Sequence, residues 1–274
     1  MALWDKLGSR GNVDDRRSMG PVGAIGGGLG LTGIVIAVLF SYLSGGDVTD
    51  VLTQLPALQV QEQSTYNATD FEGADSYEVF ASTVLGSNND MWDKIFASNN
   101  STYTPPILVL FRGSTQTGCG TADSSVGPFY CPLDEKIYLD ETFFEELQTR
   151  FGAQGGDVAE AYVIAHEVGH HVQNLTGVLD QRQSNEDSVR TELQADCYAG
   201  LWAYSIKGLG VFEQNEILEA IDAAAAVGDD RIQKSVTGRV NPETWTHGSS
   251  EQRVQWFNRG YETGTVSSCD TFNS

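Results

Sequence analysis

The sequence predicts an α+β fold that is rich in helices. Short apolar runs bounded by turn-forming residues lie between residues 105 and 140, and segments with helical periodicity follow them. Strands that precede helices, without regular alternation, are typical of α+β domains and not of α/β domains. The 274 residues suffice for one sizeable domain with an appendage, and an apolar fraction of 40% can build its core.

Local patterns predict the elements of the first half. Residues 75–98 predict two helices broken at Gly86-Ser-Asn-Asn. The run ILVLF after Pro105-Pro106 predicts a buried strand, and residues 129–131 and 136–140 predict two more, which a hairpin would join. The Gly-, Thr-, Ser- and Pro-rich segment up to Pro132 predicts a loop.

Helices dominate the second half of the chain. TFFEELQTRF predicts a short amphipathic helix. A long helix follows, with Asp157 as its expected N-cap and Gly177 at its end. Three further helices are expected at about 186–207, at about 213–227, and from Ser249 or Ser250 onward.

The charge of the chain disfavours some partners. Sixteen Lys and Arg residues stand against 37 Asp and Glu residues, which gives a net charge of −21. Phosphate backbones are bound by clustered cations, so we expect no nucleic-acid partner. Strong acidity also disfavours acidic substrates, although it serves equally well to keep a domain soluble.

An uncharged stretch of 29 residues, 18–46, separates a basic N-terminus from an acidic remainder. About 20 apolar residues cross a bilayer as a helix, so residues 21–43 predict one transmembrane helix. Four Lys and Arg residues precede it and none follows before Lys94. This bias predicts a cytoplasmic N-terminus and an extracytoplasmic remainder, held at the cell membrane by a single-pass anchor.

A cleaved signal peptide is the alternative interpretation of the same stretch. The charged region before it is long for a signal peptide, and no clean A-x-A cleavage site follows it. The expected division of the chain is therefore a cytoplasmic tail (1–20), a transmembrane helix (21–43), a linker (44–70) and one domain (71–274).

Four cysteines, Cys119, Cys131, Cys197 and Cys269, all follow the uncharged stretch. An even number of cysteines beyond a membrane segment is typical of disulfides formed in an oxidising compartment. We favour a Cys119–Cys131 bond because the intervening loop is short and rich in turn residues, and Cys197–Cys269 is then the remaining pair. Free buried thiols are the alternative.

The segment His166-Glu167-Val168-Gly169-His170 lies in the middle of the predicted helix that starts near Asp157. Residues four apart lie one above the other on a helix face, so both histidines can bind one Zn²⁺ ion. Glu167 is rotated by about 100° along the helix, which brings its carboxylate beside the metal. Zinc lowers the pKa of a bound water toward about 7, and Glu167 can accept its proton as general base.

A catalytic zinc ion needs a third protein ligand. Glu192 is our candidate because it lies on the next predicted helix, four residues before Asp196 and on the same face. Glu192 would bind the metal while Asp196 accepts the second ring N–H of a histidine ligand, with His166 expected. An ordinary pair of surface carboxylates is the alternative.

Three stretches, HEVGHHVQ, RTELQADCYAGLW and THGSSEQRVQWFNRG, resemble the bacterial neutral zinc metallopeptidase family. The likeness extends to the glycine-rich N-terminal stretch and to TVLGSNNDMW, ILVLF, CGTADSSVGPFYCPLDEKIYLD and FFEEL, so it covers nearly the whole chain. The HExxH and ExxxD pattern is also similar to that of gluzincin metallopeptidases. The resemblance implies a zincin-like domain in which His166, His170 and Glu192 bind Zn²⁺, Glu167 is the catalytic base and Asp196 supports a ligand.

No recognisable motif supplies the group that stabilises the transition state in thermolysin-like enzymes. His247 is the only histidine outside the zinc helix, and a donor aimed at the developing oxyanion would speed hydrolysis. Arg253 could instead form a bidentate pair with Asp196 or Glu192. The alternative places His247 at a helix cap and Arg253 on the surface.

An extended peptide can add as a strand to the edge of a sheet near such a site. Phe129, Tyr130, Ile137 and Tyr138 are candidates for that edge, and the core is their alternative location.

These observations predict a membrane-anchored, zinc-dependent endopeptidase that acts on a peptide or protein substrate. One alternative is a catalytically inactive zinc-binding membrane protein that serves as an interaction or structural partner. The intact Glu167 disfavours it, because a purely structural zinc site has no use for a base. Another alternative is a hydrolase of non-peptide amides.

Overall fold

A computed structural model describes residues 2–19, 75–213 and 215–273 of the chain. It has the helix-rich α+β architecture that the sequence predicts. The α-helices of the described residues are α1 (Ser76–Ser98), α2 (Thr142–Thr149), α3 (Asp157–Leu175), α4 (Asn185–Ile206), α5 (Ile217–Ala226), α6 (Asp229–Thr237) and α7 (Ser250–Thr263). The strands are β1 (Val13–Asp15), β2 (Ile107–Leu110), β3 (Ser114–Thr117), β4 (Gly120–Asp123), β5 (Phe129–Cys131) and β6 (Lys136–Leu139).

Four strands form one sheet in the order β1-β2-β6-β5. The pairs β1–β2 and β2–β6 are parallel, whereas β5 and β6 form the expected antiparallel hairpin. Strand β5 therefore lies at one edge. Ile137 and Tyr138 are each 1% exposed in β6, so these two edge candidates belong to the core.

The segment that we expected to be a loop contains a second, two-stranded sheet, β3–β4. Its sequence has almost no apolar alternation, and Thr115 and Ala122, which are paired in the register, are its buried residues. A disulfide between Cys119 and Cys131 ties this hairpin to β5, and a second disulfide joins Cys197 to Cys269. Both pairings that the sequence favours are thus present.

Glycines let the central helices approach closely. A Cβ atom on Gly200 of α4 would lie 2.0 Å from the Phe257 carbonyl oxygen of α7, and one on Gly260 of α7 would lie 2.0 Å from the Cys197 carbonyl oxygen of α4. A Cβ atom on Gly169 of α3 would lie 3.0 Å from Cα of Ala195 in α4. Any side chain at the first two positions would force α4 and α7 apart, because no void exists there to receive it.

Residues 76–98 form one helix and not the two helices that we expected. The sequence Gly86-Ser-Asn-Asn does not break it, and Ser87 and Asn88 donate side-chain hydrogen bonds to the Val84 carbonyl of the same helix. Gly86 has a tertiary role. A Cβ atom there would lie 2.6–2.7 Å from the backbone of Ser9 and Arg10, so the N-terminal segment crosses α1 at this point.

The N-terminal segment packs on the helices that follow it in the chain. The Trp4 ring stacks on Trp202 of α4 with a centroid distance of 6.4 Å and meets Phe80 of α1 edge-on at 5.2 Å. Asp157, which we expected to cap α3, accepts hydrogen bonds from the Ala2 backbone N–H and the Trp4 indole N–H, at 2.8 and 2.9 Å. Gly156 is the N-cap of α3 instead.

Arg17 fixes the end of this segment beside the start of α1. Its guanidinium forms ion pairs with Asp15 at 2.6 Å, Asp75 at 2.8 Å and Glu141 at 3.1 Å. Asp75 is also the N-cap of α1. Residues 2–19 therefore join the domain through β1 and these ion pairs, which differs from our expectation of a separate tail followed by a domain that begins at residue 71.

The predicted transmembrane helix, 21–43, and most of the predicted linker lie outside the described residues. Within the parts of the chain that the structure describes, no helix is both long enough and apolar enough to cross a membrane.

The boundaries of α3, α4, α5 and α7 agree with the sequence to within a few residues, and a capping box formed by Ser249 and Gln252 begins α7. Helix α6 was missed. Its nine residues contain only two apolar side chains, so their spacing carried too little periodicity to indicate a helix.

Gly86→Ala tests the packing of the N-terminal segment. Its Cβ would overlap the backbone of residues 9–10. We therefore expect the free energy of unfolding to fall by about 1–3 kcal/mol, despite the better helix propensity of alanine. The measurement is thermal denaturation of the full chain, with Gly208→Ala as control because a Cβ there meets nothing within 4 Å. Equal stability of the two variants would show that the segment does not rest on α1.

Candidate metal centre

Helices α3 and α4 bring three metal-binding side chains together. His166 and His170 lie one turn apart on α3, and Glu192 lies on α4. The Nε2 atom of His166 is 3.2 Å from Oε2 of Glu192, and the Nε2 atom of His170 is 3.4 Å from Oε1. One donor atom from each residue lies within 4.8 Å of the other two. The close contact of Gly169 with Ala195 holds the two helices at this separation.

The donor set fits a zinc ion. Tetrahedral zinc with bonds of about 2.0–2.1 Å has donor atoms about 3.3 Å apart, which the His–Glu separations match. Two imidazole nitrogens and one carboxylate are a ligand set of catalytic zinc sites, in which a fourth position stays open for water or substrate. His166, His170 and Glu192 are thus the residues that would hold the metal.

Glu167 faces the same cleft as the metal-binding groups. Its side chain is buried, with 6% exposure, and its Oε2 atom has no hydrogen-bond partner among the described residues. Burial raises the pKa of Glu167, and the two neighbouring histidines partly oppose this effect. A buried carboxylate oxygen without a partner is costly to a fold, so its presence beside three metal-binding side chains points to chemistry.

Asp196 orients the first histidine. Its Oδ1 atom lies 2.9 Å from Nδ1 of His166 and also accepts the Tyr162 hydroxyl at 2.5 Å. Nδ1 therefore carries a proton, and Nε2, which faces Glu192, is the nitrogen that would bind a metal. Asp196 is completely buried, so it is not one of a pair of surface carboxylates.

Arg253 supplies the charge that Asp196 needs. It is 3% exposed, and its Nε and Nη2 atoms donate to the two carboxylate oxygens at 2.8 and 2.9 Å. Burial would raise the pKa of Asp196, but Arg253 and His166 outweigh it and lower that pKa. Nη2 of Arg253 is also 4.0 Å from Glu192. The alternative of a surface arginine is wrong.

Charge is tightly coupled across the site. Burial would lower the pKa of both histidines, but Asp196 and Glu192 outweigh it, and the pKa of His166 rises to about 9. The pKa of His170 rises for the same reason, through Glu192. Burial opposes the ionised form of Glu192, yet His170 and His166 hold its pKa well below the usual range. The negative potential that retains protons here would equally attract a cation.

Sequence reasoning missed the partner of the second histidine. Nδ1 of His170 lies 2.9 Å from Oε1 of Gln173, one turn further along α3. Gln173 is completely buried. The signal was its position three residues after a ligand, where a helix brings side chains together. His171 points away from the metal, with its ring nitrogens near the Tyr130 hydroxyl and the Thr104 carbonyl.

His247 lines the same cleft as the metal-binding groups, and its side chain is about half exposed. Its Nδ1 atom is 3.1 Å from Oδ1 of Asp229, the first residue of α6. The other oxygen of Asp229 accepts the backbone N–H groups of residues 246, 247 and 248 at 2.6–3.0 Å. Ser249, not His247, caps α7. Asp229 was missed because it belongs to the unpredicted helix α6.

The cleft around these groups has a volume of about 550 Å³. One wall is the edge strand β5 with Phe129 and Tyr130, and the floor is the metal-binding face of α3. The rest of the lining includes charged side chains such as Glu146, Arg150 and Arg182, together with apolar side chains from α2, from the residues just after it and from the chain around α6. The apolar side chains include Phe143, Phe151, Val227 and Ile232.

The chain matches the family described as "Putative neutral zinc metallopeptidase" over residues 2–272. It is similar to the uncharacterized protein YpfJ of Escherichia coli K12, with 41% identity over 286 residues and 98% of each chain covered. It is also similar to the uncharacterized protein Rv2575 of Mycobacterium tuberculosis H37Rv, with 49% identity over 217 residues and 74% of each chain covered. No solved structure matches the chain significantly. The chain therefore belongs to the neutral zinc metallopeptidase family.

Proposed function

We propose that the protein is a zinc-dependent endopeptidase. The observation that carries this proposal is the buried, unpaired oxygen of Glu167 beside the three converging donors of His166, His170 and Glu192. Zinc held there would activate a water molecule and polarise the scissile carbonyl. Glu167 would accept the proton of that water and deliver it to the leaving amine. Its raised pKa suits a group that must both take and return a proton.

His247 is the proposed donor to the developing oxyanion. In its protonated form, His247 would donate Nδ1–H to Asp229 and present Nε2–H to an oxygen that becomes negatively charged. Asp229 is the positioning residue of this pair. Asp229 also accepts three backbone N–H groups, which holds the loop in place, and the ring nitrogen Nδ1 contacts Asp229 Oδ1 and Thr246 Oγ1.

An extended peptide is the substrate that the cleft favours. Among the described residues no further strand pairs with the outer side of β5, and a peptide could add there as an additional strand. The inactive zinc-binding alternative is disfavoured by the open cleft and by the cost of leaving Glu167 without a partner. A hydrolase of non-peptide amides would use the same chemistry. Assays with peptide and with non-peptide amide substrates distinguish it from an endopeptidase.

Glu167→Gln tests the catalytic assignment. Loss of the base should lower kcat about 10²–10⁴-fold, while the variant still binds about one zinc ion per chain. Cleavage of a peptide library and metal content are measured together, with Glu186→Gln, an exposed position on α4, as control. If wild type binds zinc and cleaves no peptide, the proposal gives way to the inactive protein or the amide hydrolase.

His247→Ala tests the oxyanion donor. Because the donor acts only in the transition state, we expect kcat to fall about 10²-fold or more with little change in KM and none in zinc content. Glu243→Gln, at an exposed position of the preceding turn, is the control. Full turnover in His247→Ala would assign transition-state stabilisation to another group.

We also propose that the uncharged stretch 18–46 attaches the protein to a membrane, with residues 2–19 and the metal centre on one side of it. A single crossing between residues 19 and 75 would put Arg17 and Asp75 on opposite sides, whereas their ion pair of 2.8 Å and the packing of Trp4 on Trp202 require one side. This arrangement is proposed in place of the N-terminus that we expected across the membrane from the domain.

Two single-cysteine variants test this arrangement. Gly8→Cys and Gly208→Cys introduce exposed thiols at positions where a Cβ meets nothing within 4 Å, and the native cysteines of the described chain are disulfide-bonded. A membrane-impermeant maleimide should label both variants in vesicles of one orientation and neither in the other. Labelling of the two variants in opposite orientations would overturn the same-side arrangement.

A further inference from the structure

A chain of buried amides runs from the second histidine ligand toward the C-terminus. Oε1 of Gln173 accepts Nδ1–H of His170 at 2.9 Å, and Nε2 of Gln173 donates to the Thr191 carbonyl at 2.7 Å and to Oε1 of Gln194 at 3.1 Å. Nε2 of Gln194 donates in turn to the Cys269 carbonyl at 3.0 Å. Gln173 is completely buried and Gln194 is 6% exposed, so water does not compete strongly for these bonds.

Two backbone carbonyls set the direction of every bond in this chain. A carbonyl oxygen only accepts, so the NH₂ groups of Gln173 and Gln194 must face Thr191 and Cys269. The amide oxygen of Gln173 then faces His170 and requires a proton on Nδ1. That tautomer leaves the Nε2 lone pair of His170 pointing toward Glu192, which is the form that a metal needs.

The end of the chain is held by a covalent bond. Cys269 is disulfide-bonded to Cys197 of α4, and Thr271 donates to the Arg190 carbonyl at 2.8 Å. The C-terminal segment is thus attached to α4 at residues on both sides of Glu192. The disulfide and the hydrogen bond of Thr271 together keep the Cys269 carbonyl opposite Gln194.

We propose that Gln173 is a positioning residue for His170, and that the Cys197–Cys269 disulfide, acting through Gln194, helps to set the zinc affinity of the site. The inference rests on zinc binding by His166, His170 and Glu192. It concerns affinity and not turnover, so it is tested without a peptide. A protein that binds zinc but cleaves nothing would contradict the endopeptidase proposal and leave this test valid.

The experiment measures zinc affinity by chelator competition in full-length protein. Gln173→Met keeps the shape of the side chain but removes the acceptor, and we expect about 10–100-fold weaker binding. Gln194→Met leaves the Gln173 acceptor of His170 in place. It removes both bonds of Gln194, the one from Gln173 Nε2 and the one to the Cys269 carbonyl, so a smaller loss of about 2–10-fold is expected. The absorption spectrum of the Co²⁺-loaded protein should change in Gln173→Met, because the orientation of a ligand ring changes, which a mere loss of stability would not do.

The disulfide has a matched control within the chain. The double variant Cys197→Ala with Cys269→Ala should weaken zinc binding about as much as Gln194→Met. Adding Gln194→Met to the double variant should lower the affinity little further, because the disulfide and Gln194 act through the same hydrogen-bonded chain. Removal of Cys119 and Cys131 should leave the affinity unchanged. If the Cys197 and Cys269 variant does not fold, the effect of Gln194→Met decides the question.

Wild-type affinity in Gln173→Met would overturn the positioning role. Wild-type affinity in Gln194→Met, or equal losses from removal of either disulfide, would overturn the link to the C-terminus.

Discussion

The buried carboxylate of Asp196 is the group on which the arrangement of the metal centre depends. A charge without solvent costs several kcal/mol unless it is paired and hydrogen-bonded. Arg253 of α7, together with Tyr162 and His166 of α3, satisfies both oxygens. Because these partners come from different helices, a shift of any helix by one residue would leave the buried carboxylate without its partners. Asp196 therefore fixes the register of the helices that carry the metal ligands.

Close helix contacts make this pairing possible. Gly200 and Gly260 let α4 and α7 touch backbone to backbone, which brings Arg253 within reach of Asp196. Gly169 plays the corresponding part between α3 and α4, and it is one of the two residues between Glu167 and His170. The spacing of the metal-binding motif thus includes the residue that sets the distance to the third ligand.

The N-terminal segment shows how local charge rules depend on tertiary contacts. The positive-inside bias assumes cations that are available to the membrane surface. In this fold, Arg16 pairs with Asp14 and Arg17 pairs with three carboxylates. The charges of these two arginines are therefore neutralised by ion pairs within the domain. A strand of three residues and a tryptophan that contacts two helices then make residues 2–19 part of the unit that holds the metal centre.

Much of the site was predictable from the sequence because its residues lie at helical spacings. The intervals between His166 and His170, and between Glu192 and Asp196, place side chains on one helix face whatever surrounds them. The long helices and strands β2, β5 and β6 have periodic or continuous apolar runs, which carry the same kind of local signal. The Cys119–Cys131 disulfide closes a short loop and was likewise a local feature.

The tertiary structure decided the contacts that join distant residues. Asp229 with His247 and Gln194 with Cys269 are 18 and 75 residues apart, and no pattern in the sequence distinguishes such a buried polar residue from a solvated one. For Arg253 the sequence left Asp196 and Glu192 as alternative partners, and the structure pairs it with Asp196. Gly86 looks like a helix breaker when the sequence is read locally. The backbone of residues 9–10 instead occupies the space that a side chain at Gly86 would take, and only the folded chain brings that backbone there. The sequence by itself determined which side chains could bind a metal ion and which carboxylate could act as a base. Packing decided which of these side chains lie together, because burial and pairing depend on neighbours that periodicity does not reveal.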